Sequence, residues 1–273
     1  MRLSLSEIST VAATFEEDVA AYAAAGFDAI GIWEMKLPPD DEANRALLAR
    51  YGLDVSNCVP AVPSILPLRI PGMEGPDDPE ERIRAICLSI RRLAAYRPES
   101  VVCLSGPLGD RTEDEGRAVV VDGLRRVGAA ASAADVPLAF EPVHRTQRDV
   151  VSFVNSIPTA IALLEAAGLH DAGLMFDLYH VWDDPAVWDT IARATYRIHG
   201  VHLADWPAEP GRTDRVLPGE GVAGTKELVD ALDLSGFSGC LDVEIFSEPD
   251  RFWGLPVDEA ARRAHAAAAA LIG

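Results

Sequence analysis

The 273-residue sequence is poor in positive charge and has no long apolar segment. Its 24 Lys and Arg residues are outnumbered by 43 Asp and Glu residues, so the formal net charge is -19. A charge of this sign repels phosphate backbones and anionic lipid surfaces, and we therefore expect neither nucleic acid nor a membrane as a partner. No apolar run approaches the length of about 20 residues that spans a bilayer. A small anionic substrate remains possible, because a local site can carry positive charge.

Cysteine is also scarce, and its spacing excludes the common paired motifs. The four cysteines are Cys58, Cys87, Cys103 and Cys240, which lie far apart and mostly within apolar runs. This distribution is typical of reduced, buried thiols rather than of a disulfide framework or a CxxC site. The amino terminus lacks the basic-then-apolar pattern of a signal peptide. We therefore expect a cytoplasmic protein.

Glycine is absent from Ser4 to Thr14, the segment that follows the first predicted strand. A doubly wound sheet that binds phosphates would normally have a glycine-rich turn there, so this architecture is the less favoured alternative. Instead, eight short apolar runs alternate with eight helical patterns in units of about 25 to 40 residues, which favours a parallel barrel. The predicted strands cover 3–6, 28–34, 54–59, 100–104, 136–141, 173–177, 196–202 and 240–244. The predicted helices cover 14–26, 40–51, 79–96, 112–134, 157–168, 185–194, 225–232 and 256–272.

The chain is thus predicted to be an α/β protein, a (β/α)8 TIM barrel that forms a single domain over residues 1–273. One connection is unusually long. Residues 60–79 contain six prolines and no usable hydrophobic period. We interpret this segment as a Pro-rich loop after the third strand that folds over the site, with a disordered surface loop as the alternative.

Four of the predicted strands end on a residue that can bind a metal ion. These residues are Glu141, Asp177, His202 and Glu244. In a parallel barrel the ends of strands five to eight are neighbours, so the four side chains can converge. Carboxylates with one imidazole suit one divalent ion such as Mn²⁺, Mg²⁺, Co²⁺ or Zn²⁺. Each residue alone has a simpler explanation; Asp177, for example, could cap a helix that begins near Asp184.

The pattern of these residues resembles that of a known superfamily. Glu141-Pro, Asp177-x-x-His180, His202-x-x-Asp205 and a late Glu244, with Pro218-Gly-Glu-Gly221 between them, are similar to the sugar isomerases and epimerases of the xylose isomerase-like TIM barrels. The resemblance covers nearly the whole chain. It implies that the Glu, Asp, His and Glu residues bind a divalent metal.

The resemblance also implies roles for individual residues. Glu141 and Glu244 would be the catalytic acid and base, and His180 would contact substrate oxygens. Epimerases of this type often have a second Glu where this chain has Gln147. They often have an Arg six residues after the metal-binding His, where this chain has Ala208, and Arg212 or Arg215 would take its place.

Aromatic residues follow several predicted strands. Trp33, Trp182, Trp206 and Trp253 come just after strands two, six, seven and eight, where their faces could pack against the C–H surface of a sugar. The alternative is that they anchor loops in the core. His144 follows Glu141 closely enough to reach a substrate as well.

The chemistry that these residues predict is proton transfer next to a carbonyl group. A metal-bound ketone flanked by two carboxylates can be isomerised or epimerised, and loss of a β-hydroxyl from the same enolate would make the enzyme a lyase or dehydratase. A non-catalytic or nucleic-acid-binding member of the same barrel fold is the third alternative, but repair nucleases of this kind need several metals and a basic face, whereas the chain offers only six histidines and a strong negative charge. We expect a small carbohydrate as substrate, and a homo-oligomer is compatible with the sequence.

Overall fold

The computed structural model describes residues 1–70 and 72–272, and its centre is a closed barrel of eight parallel strands. Each strand pairs with the next in sequence, and β1 closes the ring against β8 with Arg2 beside Cys240 and Leu5 beside Val243. The strands are β1 (Arg2–Ser6), β2 (Ala29–Trp33), β3 (Asp54–Val59), β4 (Ser100–Cys103), β5 (Leu138–Phe140), β6 (Gly173–Met175), β7 (Ile198–Leu203) and β8 (Cys240–Val243). The predicted single-domain TIM barrel is therefore confirmed.

Helices follow the strands and cover the outside of the barrel. They are α1 (Phe15–Ala25), α2 (Asp41–Tyr51), α3 (Pro79–Leu93), α4 (Glu113–Ala133), α5 (Ile157–Ala166), α6 (Leu178–Val181), α7 (Val187–Ala194), α8 (Thr225–Leu234) and α9 (Val257–Ala269). Local sequence explains where α1 begins and ends. Thr14 and Glu17 form a reciprocal capping box at its start, and Gly26 ends it in the left-handed conformation with φ of 97°.

The strands that carry the predicted ligands are shorter than the sequence suggested. β5, β6 and β8 end at Phe140, Met175 and Val243, so Glu141, Asp177 and Glu244 follow their strands by one or two residues. Only His202 lies within its strand. The backbone N–H groups of Glu141 and Glu244 still donate to the carbonyl oxygens of Cys103 and Leu203 on the neighbouring strands, at 3.0 and 3.1 Å, so both residues continue the line of their strands to the barrel mouth.

Two hydrophobic clusters hold the fold together. The larger one fills the layer between strands and helices. The smaller one lies at the mouth of the barrel, where side chains from β2 to β6 pack with Ile8 from the turn after β1: Trp33, Val59, Val102, Ala139 and Met175. No helix in residues 1–70 and 72–272 is long and apolar enough to cross a membrane.

The Pro-rich connection between β3 and α3 lies along β4 and is held by a buried arginine. Leu104 donates a backbone hydrogen bond to the carbonyl oxygen of Pro63 over 2.8 Å. Arg82 is fully buried and donates to the carbonyl oxygen of Ser64 at 2.8 Å and to that of Pro76 at 2.9 Å. The segment therefore has a defined path over the barrel mouth. Pro71, one of its six prolines, lies outside the described residues.

All four cysteines are free thiols. Cys58, Cys103 and Cys240 are buried, and Cys87 is half-buried. Burial raises the pKa of Cys103 to about 12, so this thiol stays protonated and chemically inert at neutral pH.

Candidate metal centre

The structure brings the four predicted ligand residues together at the carboxyl-terminal mouth of the barrel. Nδ1 of His202 lies 3.9 Å from both Oε1 of Glu141 and Oδ2 of Asp177. The same nitrogen lies 3.3 Å from Oε2 of Glu244. The ligand atoms of Glu141, Asp177 and His202 all lie within 4.8 Å of one another. Three carboxylates therefore face one imidazole nitrogen, and all four side chains are buried.

The two oxygens of the Asp177 carboxylate contact different groups. Oδ1 accepts a hydrogen bond from the backbone N–H of Tyr179 at 2.9 Å and so caps the short helix α6. Oδ2 points towards His202 instead. Asp177 is thus both a helix cap and a site residue, although the helix that it caps is α6 and not the one near Asp184.

The imidazole of His202 is oriented by groups from the opposite side of the barrel. Its Nε2 lies 3.4 Å from Oδ1 of Asn57, and the amide of Asn57 donates to Oδ2 of Asp242 at 2.7 Å. In the neutral imidazole, an Nε2–H that donates to Asn57 leaves the lone pair of Nδ1 on the side of the carboxylates. This is how a metal-binding histidine is commonly held.

Burial and charge perturb the protonation of the cluster. Burial raises the pKa of Glu141 to about 7. Burial alone would lower the pKa of His202, but the carboxylates of Glu244 and Glu141 raise it to about 10. Burial also opposes ionisation of Asp177, yet Arg215 and the nearby imidazoles hold the pKa of Asp177 below its usual value. The carboxylates of the cluster therefore stabilise a positive charge placed between them.

The residues fit a divalent cation. Within the part of the chain that the structure describes, two of the converging atoms, Oδ2 of Asp177 and Nδ1 of His202, are buried without a hydrogen-bond partner. Nη1 of Arg215 lies 2.8 Å from this oxygen as an ion pair, but without hydrogen-bond geometry. Buried polar atoms without partners are costly, and a cation would satisfy both. Glu141, Asp177, His202 and Glu244 are the residues that would hold it.

Arg215 and His180, both predicted to bind substrate, lie beside this cluster. Nη1 of Arg215 pairs with Oε2 of Glu244 at 2.9 Å, and its Nη2 lies 3.3 Å from Nε2 of His180. The guanidinium is held between the rings of Tyr179 and Phe246, at 4.7 and 5.0 Å. Burial lowers the pKa of His180 to about 3, so its imidazole is neutral and accepts from Arg215 through Nε2.

The remaining predicted substrate-binding residues divide into two groups. Trp33 lines the same cavity as the acids, whereas Trp182, Trp206 and Arg212 line a neighbouring surface cleft. Trp206 stacks on Tyr179 with ring centroids 4.8 Å apart. The guanidinium of Arg212 pairs with Asp214 at 2.6 Å.

His144 also lies next to the site rather than in it. Its Nε2 is 3.3 Å from Oδ1 of Asp183, and its ring packs on Trp206 with the centroids 4.5 Å apart. Burial lowers the pKa of His144, so the ring is mainly neutral at neutral pH. Roles for His144, Arg212 and the two tryptophans stay predictions.

Sequence reasoning missed the residues that support His202. Asp242 precedes Glu244 by two positions and therefore points to the same side of β8, which is a signal that the period of a strand could have supplied. Asn57 on β3 gave no such signal. Gly31 makes room for Asp242, since a Cβ atom at position 31 would lie 2.2 Å from its Oδ2.

The cluster lies at one end of a cavity of about 310 Å³. Glu141, His202 and Glu244 line it, as do residues of the Pro-rich loop. This volume is at the lower end of the range for small-molecule sites.

Comparison with known proteins identifies the family. Residues 19–271 match the family model of the xylose isomerase-like TIM barrel, and the chain belongs to this family. No curated protein matches the chain.

Solved structures share the fold over nearly the whole chain. A protein from Sinorhizobium meliloti 1021 is 28% identical, with a TM-score of 0.85 and 98% of each chain covered. The IolI protein with a bound zinc atom is 21% identical, with a TM-score of 0.80, 100% of this chain and 98% of that chain covered. D-allulose 3-epimerase from Methylomonas sp. is 17% identical, with a TM-score of 0.76 and coverage of 99% and 98%.

Proposed function

We propose that the protein is a divalent-metal-dependent isomerase or epimerase that moves a proton next to the carbonyl group of a sugar, keto-sugar or polyol-derived ketone. One observation carries the proposal: three buried carboxylates, Glu141, Asp177 and Glu244, converge on Nδ1 of His202 beside a cavity at the barrel mouth. Burial of three carboxylates that share one imidazole and one guanidinium is costly in the interior, and such clusters are common at functional sites.

The carboxylates of Glu141 and Glu244 are the candidates for the acid and the base. Both line the cavity, so both can reach a bound substrate. In this proposal one carboxylate removes a proton from the carbon next to the carbonyl, and the other returns a proton to the same carbon or to its neighbour. Return to the same carbon gives an epimer, and return to the neighbour gives an isomer.

Arg215 and His180 position the reacting groups. Arg215 pairs with Glu244 and Asp177 and fixes their carboxylates, while neutral His180 presents its ring to the cavity. A divalent cation held by the four ligand residues would supply Lewis acidity to two neighbouring substrate oxygens. Apolar residues of the Pro-rich loop line the cavity on the side away from the acids.

Similarity to solved structures supports the class of reaction. D-allulose 3-epimerase shares the fold, and IolI holds a zinc atom. Manganese, magnesium, cobalt and zinc all remain candidates for this chain. We also propose a cytoplasmic protein that binds neither nucleic acid nor membrane, in keeping with its free thiols and its net charge of -19, and a homo-oligomer remains open.

The second candidate is a lyase or dehydratase that uses the same enolate. The test incubates protein loaded with each of the four metals in D₂O with free ketoses, inososes, keto-glycosides and 2-hydroxyacetophenone, an α-hydroxy ketone with an apolar end. Deuterium in the recovered substrate without loss of water supports the isomerase or epimerase, and loss of water supports the lyase. The absence of both reactions with every metal and substrate would refute the proposal.

A further inference from the structure

The cavity has two chemically different sides. The polar side holds Glu141, His202, Glu244, His180 and Arg215, which come from β5 to β8 or from the segments that follow these strands. The other side we call the apolar wall. We define it by Trp33, Val59, Val102, Leu104, Leu68 and Met73, which come from β2 to β4, the residue after β4 and the Pro-rich loop. Val143, Val150, Val151 and Phe246, after β5 and β8, add apolar lining beside the polar side.

The side chains of the apolar wall provide almost no hydrogen-bond partners for a hydroxyl group. Five of its six side chains are hydrocarbon or thioether, and the sixth is Trp33, whose indole N–H already donates to Oγ of Ser6 at 2.9 Å. Further polar lining residues, Thr146, Gln147 and Thr213, belong to the segments after β5 and β7. The wall is therefore a surface for hydrocarbon.

A free ketose fits such a cavity poorly. It carries a hydroxyl on nearly every carbon, so the end that reaches the wall would lose its water without gaining new partners. An alkyl or aromatic group would instead gain from burial. The volume of about 310 Å³ leaves room for a ring or a short chain beside the reacting carbons.

We infer that the substrate is an α-hydroxy ketone whose far end is an aryl or alkyl group: its carbonyl and hydroxyl oxygens face the polar side, and its hydrocarbon lies against the apolar wall. This inference rests on the proposed function for the orientation of the reacting end. It narrows the substrate class to molecules that are polar at one end only.

Two α-hydroxy ketones with the same reacting end form the test. 2-Hydroxyacetophenone carries a phenyl ring where dihydroxyacetone carries a hydroxymethyl group. Titration calorimetry with metal-loaded protein measures the affinity for each, and proton exchange in D₂O is measured in parallel. We expect 2-hydroxyacetophenone to bind at least about tenfold more tightly, which corresponds to about 1.4 kcal/mol.

Matched variants on one strand show whether the wall causes the preference. Val59→Thr keeps the side-chain shape but places a hydroxyl in the wall, and we expect it to reduce the preference about threefold or more. Val55→Thr, also on β3 but outside the cavity lining, is the control and should leave the preference unchanged. Val102→Thr repeats the test at a second wall position should Val59→Thr not fold.

The outcomes separate this inference from the proposed function. Equal or tighter binding of dihydroxyacetone overturns the inference, as does a preference that both wall variants leave intact. Preferential binding of 2-hydroxyacetophenone that disappears in the wall variants supports it, even without proton exchange. In that case, the missing exchange would count against the proposed proton transfer alone.

Discussion

Each of the two central ligand side chains is tied to the protein through one atom and faces the site with another. Asp177 accepts a backbone hydrogen bond through Oδ1 and presents Oδ2, while His202 contacts Asn57 through Nε2 and presents Nδ1. Their orientation therefore does not depend on the ion. Such pre-orientation reduces the entropy lost when a ligand binds.

Replacement of a ligand residue should abolish metal binding. We expect His202→Ala and Asp177→Ala to lose most of the metal that the parent protein retains after purification without chelator, because each removes one of the converging ligand atoms. Elemental analysis of the purified proteins measures the content. His199→Ala, a half-buried histidine on the same strand, is the matched control and should bind metal normally. Unchanged metal content in both ligand variants would contradict the site.

The acid and base roles can be separated from metal binding at Glu244. Glu244→Gln keeps the size of the side chain and one oxygen ligand but removes the base. We expect a folded protein that retains some metal yet loses about 10²-fold or more in kcat, the usual scale for a lost general base. Kinetics at saturating metal, with circular dichroism and metal analysis, provide the measurement. The exposed Glu248→Gln is the control. Near-normal kcat in metal-loaded Glu244→Gln would make Glu244 a ligand only.

At the scale of elements, the Pro-rich loop depends on one guanidinium. The variant Arg82→Met fills the same space with a long apolar side chain but leaves the carbonyl oxygens of Ser64 and Pro76 without their charged donor. We expect a loss of about 3 kcal/mol in the free energy of unfolding, measured by chemical denaturation.

The loop itself provides a second readout of the same variant. Amide hydrogen exchange between residues 60 and 78 should accelerate in Arg82→Met more than in the barrel strands, because the released carbonyls lie in this segment. Arg84→Met, on the exposed face of the same helix, should change neither measurement. Equal stability of the two variants would show that the buried arginine does not hold the loop.

The order of elements was predictable because its signals are local. Apolar runs, the Thr14–Glu17 capping box and the terminal Gly26 are each visible within a few residues, and the barrel follows from their alternation. The convergence of the strand ends follows from the same topology. Strand lengths were less predictable, since β6 ends at Met175, two residues before Asp177.

The supporting contacts were not predictable, because they join residues far apart in sequence. The amide of Asn57 reaches Asp242 across 185 positions, and nothing near either residue indicates the other. Contacts between such distant positions depend on tertiary packing. Arg212 shows the opposite case, because this predicted substrate-binding residue instead forms an ion pair with Asp214, only two positions away.

On the scale of the whole molecule, net charge should act on the choice of substrate. With a net charge of -19, the protein should repel a phosphorylated ketone more than its neutral parent. We expect dihydroxyacetone to exceed its phosphate in kcat/KM by at least about tenfold at low salt, and added KCl should narrow the gap. A preference of more than about tenfold for the phosphate would contradict this expectation.

Stability should also depend on pH through a buried acid remote from the metal cluster. Burial raises the pKa of Glu7 from 4.5 to about 8. The folded state holds the proton of Glu7 more tightly than the unfolded state does. Protonation of Glu7 therefore stabilises the folded protein fully below its ordinary pKa of 4.5, and this stabilisation is lost as the pH rises to about 8. The slope is at most about 1.4 kcal/mol per pH unit for one proton.

The variant Glu7→Gln imitates the protonated acid and keeps an oxygen for the backbone N–H of Trp33. We expect it to flatten the decline in unfolding free energy between about pH 5 and pH 8, measured by denaturation at each pH. The exposed Glu16→Gln should follow the parent curve. A Glu7→Gln protein whose curve matches the parent would exclude this acid as the cause.

The apolar wall of the cavity and the metal-ligand residues come from different halves of the chain. The apolar wall comes from β2 to β4 and the Pro-rich loop after β3, and the ligand residues come from β5 to β8 or the residues that follow these strands. A molecule that spans the cavity therefore bridges two half-barrels across the seam between β4 and β5. Its binding free energy resists separation of these halves, so occupancy acts as a reversible cross-link whose strength increases with ligand concentration.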